Sequence, residues 1–188
     1  MKTRMTGLMM LSLLMLVIGS CSLLPGTPSA VHDFAYPYSN TPPETTALLQ
    51  QSPVTVEAPN WLIDNRIRYR LLYATPTQVR FYSLDRWIAP PSELFEQLLN
   101  NNGKLWPTSV NIRLQVFEQQ FDAPNQAKVA IHFTAIAMPD DNKHQAHKRD
   151  FRLQLPCTTP DAKGAVTSFN MLTRQAVDKI QVWLMESN

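Results

Sequence analysis

Two consecutive prolines, Pro90 and Pro91, separate a stretch with strand character from one with helix character, and they restrict this chain more than any other feature. The stretch reads FYSLDRWIAPPSELF over residues 81–95. A residue before proline is driven out of the helical region, so Ala89 has to be extended. Proline fixes its own φ at about −65° and lacks an N–H, which suits it to the first turn of a helix and not to its interior. A strand that runs through Arg86 and Trp87 must therefore turn a corner and begin a helix at Pro90 or Pro91. Leu94, Phe95, Leu98 and Leu99 recur at helical spacing and give that helix an apolar face. The asparagine run at 100–102 and Gly103 end it.

The flanking sequence supplies the sheet. RIRYRLLYA alternates Ile67, Tyr69, Leu71 and Tyr73 with Arg66, Arg68 and Arg70, the period of a half-exposed strand. TPTQ is a turn containing Pro76, and VRFYSL resumes extended chain, so the two stretches read as a hairpin. VNIRLQVF, KVAIHFTAIAM and RDFRLQL alternate in the same way, the last two joined by the polar loop PDDNKHQAHK. Val166, Phe169, Thr173, Ala176, Ile180 and Trp183 then mark a long amphipathic helix that starts near Pro160 or Ala165 and runs to Trp183. The expected fold is α+β, a two-layer sandwich in which two amphipathic helices cover a mixed or antiparallel sheet of about five or six strands.

The N-terminus, MKTRMTGLMMLSLLMLVIGSC, has a positive start at Lys2 and Arg4 and an apolar run from Leu8 to Ile18. That run is shorter than the roughly 20 residues of a membrane-spanning helix and fits a secretory signal. Val17-Ile18-Gly19-Ser20-Cys21 resembles the bacterial lipobox, in which the cysteine is acylated and the peptide before it removed. An ordinary signal peptide with a chance cysteine is the alternative. In the lipoproteins it resembles, an Asp after the cysteine favours the inner membrane, so Ser22 points to the outer membrane. The expected division is a signal peptide over 1–20, a Pro/Ser/Thr-rich tether over 21–52, and a domain over 53–188. Phe34, Tyr36 and Tyr38 interrupt the tether pattern as residues that dock on the domain or on a neighbour.

Charge and cysteines narrow the function. Of 17 basic residues, Lys2 and Arg4 leave with the signal, so the mature chain has as many bases as its 15 acids. A neutral domain lacks the basic field of a nucleic-acid binder. With Cys21 acylated, Cys157 has no intramolecular partner, and its place after the alternating DFRLQL favours burial. The scattered glycines build no phosphate-cradling loop, and neither a G-x-S-x-G elbow nor H-E-x-x-H occurs. His144 and His147, beside Asp140 and Asp141, read as a solvated loop rather than a metal site. His132 reads as a surface residue. Asp64 and Asp85, each close to arginines, read as structural ion pairs. No catalytic group, cofactor or metal is expected.

The candidate binding residues are therefore surface ones. Arg66, Arg68 and Arg70 form either a basic ribbon facing lipid phosphates or an acidic partner, or a solvated sheet face whose arginine stems cover apolar surface. Trp61 and Trp87 are candidate interface anchors, with core packing the expected fate of at least one. Arg86 and Trp87, held at a rigid corner, are candidates for recognition at little entropic cost.

The residues quoted carry a resemblance. Pro59-Asn60-Trp61-Leu62, the strand Ile67–Arg70, the Tyr82-x-x-x-Arg86-Trp87-x-x-Pro90 segment, the Leu-rich helix after it and the terminal IQVWLMES are similar to the ABC-type transport auxiliary lipoproteins, over about residues 54–184. The Tyr-x-Leu strand that relatives have soon after the lipobox is weak here, in HDFAYPYSN. The resemblance implies a lipoprotein on the periplasmic face of the outer membrane, accessory to a phospholipid transport system with mammalian-cell-entry domains. It also implies a homo-oligomer, contact with outer-membrane lipids through the acyl anchor, and no enzyme activity. An assembly factor for lipopolysaccharide export or for a cell-wall synthase is the rival reading.

Overall fold

The computed structural model describes residues 29–34, 54–102, 104–138 and 146–186. The signal segment 1–20, Cys21, Tyr36, Tyr38, most of the 21–52 segment, Gly103 and the loop residues Asp140, Asp141 and His144 lie outside the described residues. The elements run β1 (Ala30–His32), β2 (Val54–Glu57), a 3-10 turn (Asn60–Leu62), β3 (Arg66–Leu71), β4 (Arg80–Trp87), α1 (Pro91–Asn101), β5 (Ser109–Ala123), β6 (Gln126–Met138), β7 (His147–Pro156) and α2 (Ala162–Glu186). The strands make one mixed sheet in the order β1-β4-β3-β5-β6-β7, with β2 alongside part of β5.

The α+β class is as the sequence leads one to expect, with seven strands where five or six were anticipated. The short ones, β1 and β2, have three and four residues, too few for alternation to register. Both pair in parallel, β1 with the end of β4 and β2 with Val110–Arg113. The hairpin read at Pro76 forms, since β3 and β4 are antiparallel. β5 is longer than VNIRLQVF because one of its edges serves two neighbours in turn, β2 and then β3 at Gln119–Phe121. Its other edge pairs with β6 along nearly its whole length.

Both helices lie on one face of the sheet. Phe95 of α1 meets Phe133 of β6 edge to face at 5.7 Å, Phe133 stacks on Phe151 of β7 at 4.9 Å, and Phe151 meets Trp183 of α2 at 5.9 Å. Burying each such large side chain contributes about 1.5–3 kcal/mol. α1 starts as the double proline requires, with Pro91 at its first position, and buries Leu94, Phe95, Leu98 and Leu99. α2 extends three residues past Trp183 and buries Phe169, Leu172, Ala176, Ile180 and Trp183. Asp161 caps it, accepting the Gly164 N–H at 2.7 Å on a carboxylate oxygen that also takes the Thr159 hydroxyl at 2.7 Å. Those bonds, the Gly164 amide foremost, hold the Asp161 carboxyl below its ordinary pKa. A methyl group on Gly164 would collide with the Thr159 carbonyl, so only glycine fits at this approach.

One expected boundary shifts. Ala30–His32 pairs with Asp85–Trp87, and Phe34 is buried, so residues 30–34 belong to the folded domain rather than to a tether over 21–52. Phe34 docks on the domain, as one of the two expectations for it had it.

Candidate recognition corner

The strand-to-helix corner is built around Trp87. β4 ends there, the Trp87 N–H donates to the Asn65 carbonyl at 2.8 Å, and the next N–H, of Ile88, donates to the His32 carbonyl at 2.8 Å. The indole points inward and is 1% exposed. It sits among three phenylalanines: Phe34 at 5.2 Å, Phe169 of α2 at 5.8 Å and Phe117 of β5 at 6.0 Å, all near-perpendicular. Phe117 and Phe169 stack beneath it at 4.0 Å. Trp87 is thus corrected from candidate interface anchor to core residue. Pleating sends its side chain to the helix-covered face and that of Arg86 to the other.

The three arginines of β3 are corrected as well. Arg68 is 7% exposed and donates to Asp64 at 2.7 Å, while Arg66 donates to the same carboxylate at 2.8 Å. Arg70 donates from Nε to both oxygens of Glu118 at 2.8–2.9 Å, and Glu118 also accepts from Gln120. Burial pulls the Asp64 carboxyl up, but the Arg66 hydrogen bonds and the charges of both arginines outweigh it, leaving the pKa below its ordinary value. A free basic ribbon is therefore absent along β3. Arg66 further stacks on Phe81, 3.7 Å from the ring centroid, covering apolar surface with its guanidinium. Arg66 thus follows the solvated-face alternative, whereas Arg68 is buried and Arg70 half-buried.

Asp64 forms the expected ion pairs. Asp85 takes a different partner from the nearby arginines, His32 at 2.8 Å, because its side chain shares the inner face with β1's histidine. His132 lies half-buried beside Arg152, at 3.4 Å, and burial and that guanidinium hold its pKa below the ordinary value. Cys157 is half-buried rather than fully buried, and burial pushes its thiol up. Among the described residues, no group of three or more His, Cys, Asp or Glu is arranged to hold a metal ion.

Two of the six candidates keep exposed side chains without a partner role inside the fold. Arg86 is exposed and its guanidinium makes no hydrogen bond or ion pair with the described residues. Trp61, in the 3-10 turn, is 68% exposed. Residues directly opposite one another on paired strands share a face, which places Val31, Arg86 and Arg66 in one cross-strand row. Val31, in that row, and Ile88, whose N–H is bonded to the carbonyl of the next residue of β1, are exposed, and so is Ile63. No local signal marks Val31, Ile63 and Ile88, because an isolated aliphatic residue reads as core until its neighbours are known.

No protein-family model matches the chain, and no curated protein matches it. Solved structures do. A protein from Xanthomonas campestris of family DUF330 superposes with a TM-score of 0.61 at 16% identity, over 85% of this chain and 86% of that one. A second crystal structure, of an uncharacterised protein, gives a TM-score of 0.60 at 14% identity, over 84% of this chain and 99% of that one. Both likenesses concern the fold. Among the described residues, no helix is long and apolar enough to cross a membrane.

Proposed function

We propose that this chain is an outer-membrane lipoprotein, accessory to a periplasmic phospholipid transport system with mammalian-cell-entry domains, and that it acts by binding. The observation that carries this reading is a convergence. The sequence over 54–184 resembles the ABC-type transport auxiliary lipoproteins, and the fold is that of DUF330, the family of those lipoproteins. The anchor is Cys21. Each acyl methylene buried in the bilayer contributes about 0.8 kcal/mol, and two or more chains hold the protein stably without a spanning helix. The contact surface is the corner where Arg86 and Trp61 are exposed. Transport energy belongs to the partners.

Mass spectrometry of the protein from separated membranes tests the anchor and its address. The expected product begins at Cys21, carries acyl chains and comes from the outer-membrane fraction. An unmodified N-terminus elsewhere, or recovery in the inner membrane, contradicts the reading.

A further inference from the structure

The corner carries more than a generic contact surface. Residues 22–29, eight in number, are all that separate Cys21 from β1. Fully extended, they span roughly 30 Å. β1 pairs with the last residues of β4, so a chain anchored at Cys21 keeps this corner within that distance of the lipid. The short reach follows from β1 and Phe34 being part of the fold.

What the corner displays suits a lipid surface. Ile88 is 64% exposed, Val31 and Ile63 about half exposed, and Trp61 the most exposed of the four tryptophans. Asn65, whose carbonyl is bonded to the Trp87 N–H, ties the Trp61–Ile63 segment to Ile88. Tryptophan belongs at membrane–water interfaces, with its ring among the headgroups. Arginine stems reach across such a boundary while the guanidinium stays with phosphate. Here Asp64 is shared by Arg66 and Arg68, and Arg86 has no acid among the described residues, so this row carries a surplus of positive charge in a chain otherwise balanced.

We infer that the face formed by Trp61, Ile63, Ile88, Val31 and Arg86 rests on the phospholipid headgroups, holding the domain in one orientation on the membrane to which Cys21 anchors it. The inference rests on the Cys21 anchor proposed above and names the ligand of the corner. The patch is small, but it does not have to bind alone. A tether this short presents it to the surface at millimolar effective concentration, so a weak contact suffices.

Tryptophan fluorescence provides the test, because Trp87, Trp106 and Trp183 are at most 5% exposed and only Trp61 is open to solvent. The full acylated protein is reconstituted into phosphatidylethanolamine–phosphatidylglycerol vesicles whose acyl chains carry bromine. The expected result is a blue-shifted, quenched Trp61 emission, which Trp61→Phe abolishes and Arg86→Glu weakens while both variants still float with the vesicles. Urea melts of both variants establish that they remain folded. Protein that floats with the vesicles yet shows no Trp61 quenching overturns the inference and leaves the anchor standing. So does an unquenched Trp61 together with loss of protein-partner capture by Arg86→Glu, which makes the corner a protein interface. A Cys21 without acyl chains in the same preparation, read by mass spectrometry, overturns the anchor and the inference together.

Discussion

Phe34 and Trp87 meet edge to face, with ring centroids 5.2 Å apart and planes at 84°. The contact closes the corner from the N-terminal side. It joins a segment with the composition of a linker to the residue at which β4 must stop. The indole touches β5 and α2 through Phe117 and Phe169, so one side chain ties together three parts of the fold.

Trp87→Ala is expected to cost about 3–5 kcal/mol, the range for deleting a large buried aromatic. Arg86→Ala, one residue away but exposed and unpaired among the described residues, should stay within about 0.5 kcal/mol. Urea denaturation of the two variants decides it. Equal losses would mean that Arg86 is structural.

On α2, Ile180 is fully buried against the sheet, and Ile180→Asp forces a charge into an apolar site. A loss of several kcal/mol is expected, a large share of the stability of a domain this size. Asp178 lies on the open side, paired with Lys104, and both side chains are substantially exposed. Pairs of this kind contribute about 0–1 kcal/mol, so Asp178→Ala should be mild. Comparable urea midpoints for the two would refute the assigned helix face.

The Asp161 cap gives a pH dependence with a definite sign. Its folded-state pKa is depressed, so the stabilisation is complete above the unfolded value of about 3.9 and is lost as pH falls through the folded pKa. Asp161→Ala should cost about 1 kcal/mol at pH 7, and the gap to wild type should close below about pH 4. Gly164→Ala should destabilise at every pH, since its methyl meets a backbone carbonyl. A cap variant whose deficit is the same at pH 7 and pH 3 would contradict this account.

Cys157 has its thiol pKa raised by burial, with Gln119 3.5 Å from the sulfur. Less thiolate at neutral pH means slow alkylation. Iodoacetamide at pH 7.5 should label the folded protein far more slowly than the urea-unfolded one. Equal rates would place the thiol in open solvent.

Much of this fold was legible because its signals are local. The double proline set the corner and the first position of α1, and the alternation of Ile67, Tyr69 and Leu71 set β3. What escaped depends on partners distant in sequence. β1 exists because Phe34 and His32 meet Trp87 and Asp85, more than fifty residues away. Arg70 looked free because Glu118, which neutralises it, lies 48 residues on. β5 continues past Phe117 through a polar stretch because Gln119, fully buried, accepts the Tyr82 hydroxyl at 2.6 Å and donates to the Asp161 carbonyl at 3.2 Å. Of the corner, Arg86 and Trp61 could be named from the sequence, but which side of the sheet each residue faces could not. A bulge between Arg66 and Arg68 changes the register, and no local pattern marks it.

The proposal that this chain is a lipoprotein serving a phospholipid transport system stands or falls on the identity of its partners. The full acylated chain, carrying a C-terminal affinity tag, is crosslinked in intact cells and captured from solubilised envelopes, and its partners are identified by mass spectrometry. The expected partner is a protein with mammalian-cell-entry domains, crosslinked to this chain in stoichiometric amounts. Recovery of lipopolysaccharide-export or cell-wall-synthase components in its place would contradict it.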